Sequence, residues 1–317
     1  MNQTIEIINR VLPIIFLLGL GFWVRQQRFL TSATIEDLRK IVVNFALPAV
    51  LFISFLDIEL KGSFFVIFGV TFGLCIILYL LGRIIHKKFS IQYTYFPYLI
   101  TGFEYGMLGI SLFAAAYGME SIGFIAVTDL GHEIFIWFVF LPMLLIKRDG
   151  IQRPSQIVKS FLSAPVVIAI LASLIFNILN ARDQLYQLPV TGGIMGTLNN
   201  LSGLTVPLIL IIVGYGIKIN TSGLKDALVV AVIRLAILLP LIFILNKFLI
   251  SGILGLETGF QAALFTLLIL PPPFIVPLYA RRDLREKEKF YINNTLTIHT
   301  VISVLIFITY FILNPTI

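Results

Sequence analysis

Three consecutive prolines, Pro271, Pro272 and Pro273, stand in the middle of an apolar stretch from Phe260 to Ala280. Proline lacks a backbone N–H and its ring clashes with the carbonyl one turn back, so no helix runs through three of them. Inside a membrane the carbonyls released by such a break must find partners within the protein. The apolar stretch from Tyr93 to Tyr117 is interrupted as well, by Gly102, Gly106 and Gly109, with Glu104 among them. Two interrupted segments at corresponding places in the two halves of a chain point to a transporter's central binding site.

A membrane setting follows from composition. Of 317 residues, 58% are hydrophobic and 12% charged, against roughly 25% charged in a soluble domain. Windows of about 20 apolar residues predict ten spans, at 5–24, 38–56, 63–84, 93–118, 121–146, 160–179, 198–218, 227–248, 258–280 and 291–313. The chain is therefore expected to be an all-α polytopic membrane protein with short loops. The first span is longer than a signal-peptide core and has no basic run before it, so it is read as retained. Cys75 is the one cysteine, which offers neither a disulfide framework nor a metal cluster.

The net charge of +7 has a simple distribution. Loops after odd-numbered spans carry Arg25, Arg28, Arg39 and Lys40; Arg83, Lys87 and Lys88; Lys147, Arg148, Arg153 and Lys159; Lys218 and Lys225; and Arg281, Arg282, Arg285, Lys287 and Lys289. Even-numbered loops carry Lys61, Arg182 and Lys247. By the positive-inside rule the odd loops are cytoplasmic and both termini extracellular, as expected of a multi-pass plasma-membrane protein. Arg10, near the outer end of the first span, can snorkel. The basic charge reads as a topology signal and not as a nucleic-acid surface.

Five spans per half imply that the halves enter the membrane from opposite sides. Residues 1–146 form the first repeat, 147–159 a cytoplasmic connection, and 160–317 the second repeat. Landmarks pair between them: Pro48 with Pro207, the glycine break with the proline break, and His132 with His299.

Several runs carry a resemblance to a known family. These are Leu18 to Phe22 (LGLGF), Arg25 to Phe52 (RQQRFLTSATIEDLRKIVVNFALPAVLF), Val206 to Ile217 (VPLILIIVGYGI) and Arg234 to Leu241 (RLAILLPL), the most specific piece being Asn44-Phe45-Ala46-Leu47-Pro48-Ala49. Over almost its whole length the chain resembles short bacterial members of the auxin efflux carrier family, the malate or malonate permease type. The resemblance implies ten helices in two inverted five-helix repeats, with helices 4 and 9 broken and crossing, as in sodium–proton antiporters and bile-acid symporters. It implies that helices 1, 2, 6 and 7 form a scaffold and helices 3–5 and 8–10 an elevator-type transport domain. It also implies an organic-anion substrate.

The fourth span departs from the family pattern. Glu104 falls where the resemblance places an asparagine, and Ser111 where it places a proline. An asparagine can donate a hydrogen bond to a carboxylate at any pH, whereas a glutamate donates only when protonated. A charged carboxylate near the bilayer centre costs about 2.5–3.5 kcal/mol on insertion scales. Glu104 is thus the candidate for proton coupling or substrate binding, with permanent pairing to Arg234 or a histidine as the structural alternative; its neighbour Tyr105 belongs to the same candidate site.

Further polar groups lie in the other spans. Asp129, His132 and Glu133 share a helical face, and a histidine between carboxylates suits a proton relay as well as a hydrogen-bonded interior position. No second histidine follows at zinc-protease spacing, and no metal is expected. Asn293 and Thr297 share a face of the tenth span, where His299 is either functional or an interhelical bond. Arg234, which cannot neutralise by losing its proton, is expected to compensate a carboxylate of the protein or of the substrate. Asn44 is a candidate polar contact near the site. Phe274 packs either on an apolar part of a substrate or on the crossing helix. Gly106, Gly109 and the three prolines are expected to form the crossover, where orphan N–H groups favour an anion.

Together these observations predict a secondary carrier of a small organic anion, working by alternating access and linked to protons, with sodium as an alternative coupling ion and no cofactor. Its partners are the substrate and the bilayer, with a homodimer left open and no nucleic acid. The competing class is a cation–proton antiporter with the same crossed helices. No nucleophile or metal-pair motif points to an enzyme.

Overall fold

The computed structural model of the chain describes residues 2–56, 58, 61–150, 154–218, 221, 223–281 and 283–317. Arg153 and Arg282 of the predicted basic loops, and part of the 147–159 connection, lie outside the described residues. Within them the chain is helical and without strands. Eight helices are long and apolar enough to cross a membrane. In chain order the elements are α1 (Asn2–Gln26), α2 (Ser32–Leu56), α3 (Ser63–Lys88), α4 (Phe96–Ile100), α5 (105–117), α6 (Met119–Asp149), α7 (Pro154–Leu162), α8 (Pro165–Ile178), α9 (Arg182–Gln187), α10 (Pro189–Gly216), α11 (Leu224–Ile253), α12 (Thr258–Ile269), α13 (Ile275–Tyr279) and α14 (Glu286–Leu313).

Two of the ten predicted spans are shorter than expected. At 1.5 Å per residue, the 14 residues of α8 and the 12 of α12 reach roughly 20 Å, against a hydrocarbon core of about 30 Å. In the 160–179 span the cause is Pro165. It restricts Ala164 to extended backbone (φ −70°, ψ 126°) and restarts the helix at its first position. A separate helix, α7, takes the last part of the expected connection, and α6 runs into its start. The short α8 nonetheless closes the end of α2: Asn177 Nδ2 donates to the carbonyls of Phe55, Leu56 and Ile58 at 3.2, 2.8 and 2.9 Å. Those are acceptors that a helix C-terminus leaves open.

The most extensive helix packing falls in two sets, joined through α5, which packs on α1 and α10, and through α2, which also meets α6. α1 lies along α10, while α2 lies along α8 and the first part of α10; α3 lies along α6, α6 along α12, and α11 along α14. Small residues permit the α1–α10 approach: a Cβ on Gly21 would stand 2.1 Å from the carbonyl oxygen of Ile211, and one on Gly214 2.1 Å from that of Leu18. Backbones that close gain dispersion contacts which lipid cannot supply.

Both interrupted stretches are broken, and the breaks meet. α12 ends at Ile269 and α13 begins at Ile275, with the prolines between. On the other side the break falls at 101–104, one turn ahead of Gly106 and Gly109. Gly102 makes it, with φ +71°. A Cβ there would meet Pro273 Cγ at 2.8 Å and Ile136 Cδ1 at 3.1 Å. Gly109 permits packing on Leu270, while Gly106 sits in a π-helical turn (Tyr105–Gly109) with nothing closer than Leu47 Cδ1 at 4.0 Å. Ser111, at the position where the resemblance places a proline, keeps a backbone N–H and has no ring to clash, so α5 runs through it; its hydroxyl donates to Met107 O at 2.7 Å.

Gly102→Ala is therefore expected to cost at least about 1–2 kcal/mol from the left-handed backbone alone, with the clash added. Gly106→Ala is expected to be neutral or to stabilise by about 0.5–1 kcal/mol. Thermal unfolding of the purified variants in detergent measures both; equal destabilisation would contradict the placement of the break.

Candidate functional site

The crossing has orphan backbone groups on both sides, and several of them find partners across it. After α12, Ile269 O accepts from Ser303 Oγ (2.6 Å), Leu270 O from Arg234 Nη2 (3.1 Å), Pro271 O from the Glu104 N–H (2.9 Å) and Pro273 O from the Val276 N–H (3.1 Å). After α4, Ile100 O accepts from Arg234 Nη1 (2.7 Å), Gly102 O from Arg234 Nη2, and the Phe103 N–H donates to His132 Nε2 (2.9 Å).

Arg234 thus meets carbonyls where a carboxylate was expected. No ion pair to it occurs among the described residues. Its fully buried guanidinium holds oxygens of both breaks and lies 4.8 Å from the centroid of the Phe103 ring. Arginine suits this role because its planar fork presents several donors and retains its charge when buried.

The two paired histidines each support one break. The Phe103 amide donates to His132 Nε2, so that nitrogen carries the lone pair and the ring proton sits on Nδ1, which donates to Asp129 Oδ1 at 2.7 Å. His299 Nδ1 lies 3.0 Å from Ser303 Oγ, whose own proton goes to Ile269 O. Nδ1–H is therefore the donor, and the buried His299 Nε2 has no partner. Glu133 is half-buried and accepts from Trp137 Nε1 at 2.8 Å. The donor atoms of Asp129, His132 and Glu133 lie within 4.8 Å of one another, but both ring nitrogens of His132 are engaged, so the set does not fit a metal.

Glu104 ties the breaks together from a buried position. Its backbone N–H reaches Pro271; its Oε1 accepts from the Met107 N–H at 3.4 Å, capping α5, and its Oε2 from the Phe274 N–H at 2.5 Å. No cation sits within ion-pair distance among the described residues, although Arg39 acts on it electrostatically. The pairing with Arg234 or a histidine, weighed above as the structural alternative, is replaced by these amide bonds. The Tyr105 ring is buried beside it with its hydroxyl unpartnered.

Met107 and Phe274, whose amides hold Glu104, also line a cavity of about 380 Å³. Among the described residues Arg25, Arg39 and Lys218 line it and no carboxylate does; Ser32, Tyr215, Asn293 and Thr297 add neutral polar groups, and Ile212, Val213 and Leu296 belong to its apolar wall. Arg25 is positioned by the carbonyls of Ile217 (2.9 Å) and Tyr215 (3.3 Å). Arg39 Nη1 lies 3.4 Å from Glu36, while its Nε is buried without a partner.

The structure therefore brings Glu104, Tyr105, Asp129, His132, Glu133, Arg234, His299, Phe274 and the prolines to the crossing or its support. Asn44 is not among them. It is exposed, its Nδ2 is bound to Lys40 O at 2.8 Å, and it does not line the cavity. Arg25, Arg39 and Lys218 are the functional candidates that sequence reasoning missed, having been read as topology charges. Neither a protein-family model nor a curated protein matches the chain.

Arg234→Met would leave three buried carbonyls without a donor. At about 1–3 kcal/mol each, the loss is expected to reach at least about 3 kcal/mol, seen as a lower unfolding temperature, with Arg234→Lys retaining part of the stability. A methionine variant as stable as the parent would contradict the role assigned to the guanidinium.

Proposed function

We propose that the chain is a secondary active carrier for a small organic anion, an inference carried by the acid-free cavity with three cations that lies against the meeting point of two broken helices. Its volume falls within the range of small-ligand sites, and its mixture of apolar wall and few convergent polar groups is the usual composition of one. The cations favour a carboxylate; the wall of Met107, Ile212, Phe274 and Leu296 favours an apolar body attached to it.

The meeting of the breaks, and the support of each by a histidine in the following long helix, favour two inverted five-helix repeats. The more extensive packing of α1 with α10 and of α2 with α8 on one side, and of α3 with α6 and α12 and of α11 with α14 on the other, supports a scaffold and a transport domain moving past one another. Membership of the auxin efflux carrier family and a plasma-membrane location with external termini belong to the same proposal. They rest on the quoted sequence runs and on the charge distribution.

Proton linkage is assigned to Glu104. When ionised it occupies the amides of Met107 and Phe274 and repels an anion in the adjoining cavity; when protonated it removes that repulsion and can donate a hydrogen bond. The cation–proton antiporter reading fits less well, because cations line the cavity and Asp129 is committed to His132.

Counterflow of labelled carboxylates in proteoliposomes tests the proposal. Exchange is expected in the parent protein and a rise in half-saturating concentration of about tenfold or more in Arg39→Ala, since one charged hydrogen bond contributes about 1.5–3 kcal/mol. Sodium-dependent proton movement without carboxylate exchange would favour the antiporter. Glu104→Gln is expected to exchange carboxylates but to lose the response to a pH gradient; proton-driven uptake retained in that variant would remove Glu104 from the coupling role.

A further inference from the structure

A second concavity lies between the C-terminal end of α3 and the segment leading into α4, with Lys147 of α6 closing it. Its volume is about 750 Å³, and among the described residues Arg83, His86, Lys87 and Lys147 line it without any carboxylate. The floor is aromatic. Tyr79 and Tyr98 meet edge to face with centroids 5.6 Å apart, and Lys147 Nζ stands 4.9 and 5.1 Å from the ring centroids of Tyr95 and Tyr98 while donating to Thr94 O at 3.1 Å. Glu288 of α14, the acid acting on Lys147, accepts from the Tyr95 N–H.

Arg83 and Lys87 are four residues apart on one helical face, both exposed, and neither is ion-paired among the described residues. Along the adjoining stripe of α3, Ile77, Leu80 and Ile84 are exposed as well. The positive-inside rule asks only for a number of charges on one side of the membrane. A concave arrangement of cations from two helices, over an aromatic floor and continuous with an apolar stripe, matches a ligand that carries a phosphate at one end and acyl chains at the other.

We propose that this cleft binds the headgroup phosphate of an anionic phospholipid, with the acyl chains lying on the Ile77–Leu80–Ile84 stripe. Basic clefts at the membrane boundary bind such headgroups through the same charges. The site is separate from the cavity at the crossing and does not depend on what that cavity carries.

The test titrates the full-length purified protein with short-chain phosphatidylglycerol, with phosphatidylcholine of the same chain length and with inorganic phosphate, reading bound ligand by native mass spectrometry and stability by thermal unfolding. Phosphatidylglycerol is expected to bind and to raise the unfolding temperature, and the other two to do neither. Arg83→Ala/Lys87→Ala is expected to weaken phosphatidylglycerol binding by at least about tenfold, given about 1 kcal/mol per basic residue near a charged surface. Arg28→Ala/Lys159→Ala, which removes the same charge elsewhere, should change it less than about twofold. Equal weakening by the two double variants, equal binding of phosphatidylcholine, or saturation by phosphate alone would each overturn the proposal. Should the first double variant not purify folded, Lys87→Ala alone decides, with at least about threefold weakening expected and an unchanged affinity overturning the assignment.

Discussion

The guanidinium of Arg234 binds carbonyls of both broken segments, and the crossing depends on it. Backbone carbonyls inside a membrane have no water to turn to, and three proline rings in sequence leave α12 with acceptors that its own chain cannot satisfy. One permanently charged fork takes Leu270 O on that side and Ile100 and Gly102 on the other. The rest of the local structure serves this contact. Gly102 adopts a left-handed backbone where a side chain would strike Pro273; His132, oriented by Asp129, takes the Phe103 N–H, and Ser303, beside His299, takes Ile269 O.

The electrostatics of the proposed carrier follow from that arrangement. Arg234 spends its charge on carbonyls and not on a carboxylate, so Glu104 is left without a formal counter-ion and is held by two amides instead. The same two residues, Met107 and Phe274, line the cavity where Arg25, Arg39 and Lys218 gather. An entering anion and an ionised Glu104 therefore share one region of positive potential, and the protonation state of Glu104 sets how much of it is available.

Much of this was legible in the sequence, and the misses have physical causes. Apolar runs located the long helices because hydropathy over about 20 residues is a direct readout of the membrane's thickness. The two breaks were legible from proline and glycine. The depth of the first was not: three glycines were candidates, and only the contact with Pro273 singles out Gly102. The partner of Arg234 was misread because side-chain acids are visible in a sequence, whereas carbonyls freed by a break are not. Arg25, Arg39 and Lys218 were read as topology charges because that rule explains any basic loop residue, and only three-dimensional proximity distinguishes a cation lining a cavity from one facing water. Asn44, in the most specific matching run, was expected near the site, but its π-helical turn leaves the side chain bonded to its own helix at Lys40 O.

The central claim is that a carboxylate, and not merely a small polar molecule, is what the cavity recognises. Calorimetric titration of the purified protein with matched pairs, each a carboxylate and its isosteric primary amide, measures this directly. The account predicts saturable heats for at least one carboxylate, lost in its amide and lost on Arg39→Ala. Binding of amide and carboxylate with equal affinity, or of neither across a panel of mono- and dicarboxylates, would contradict it.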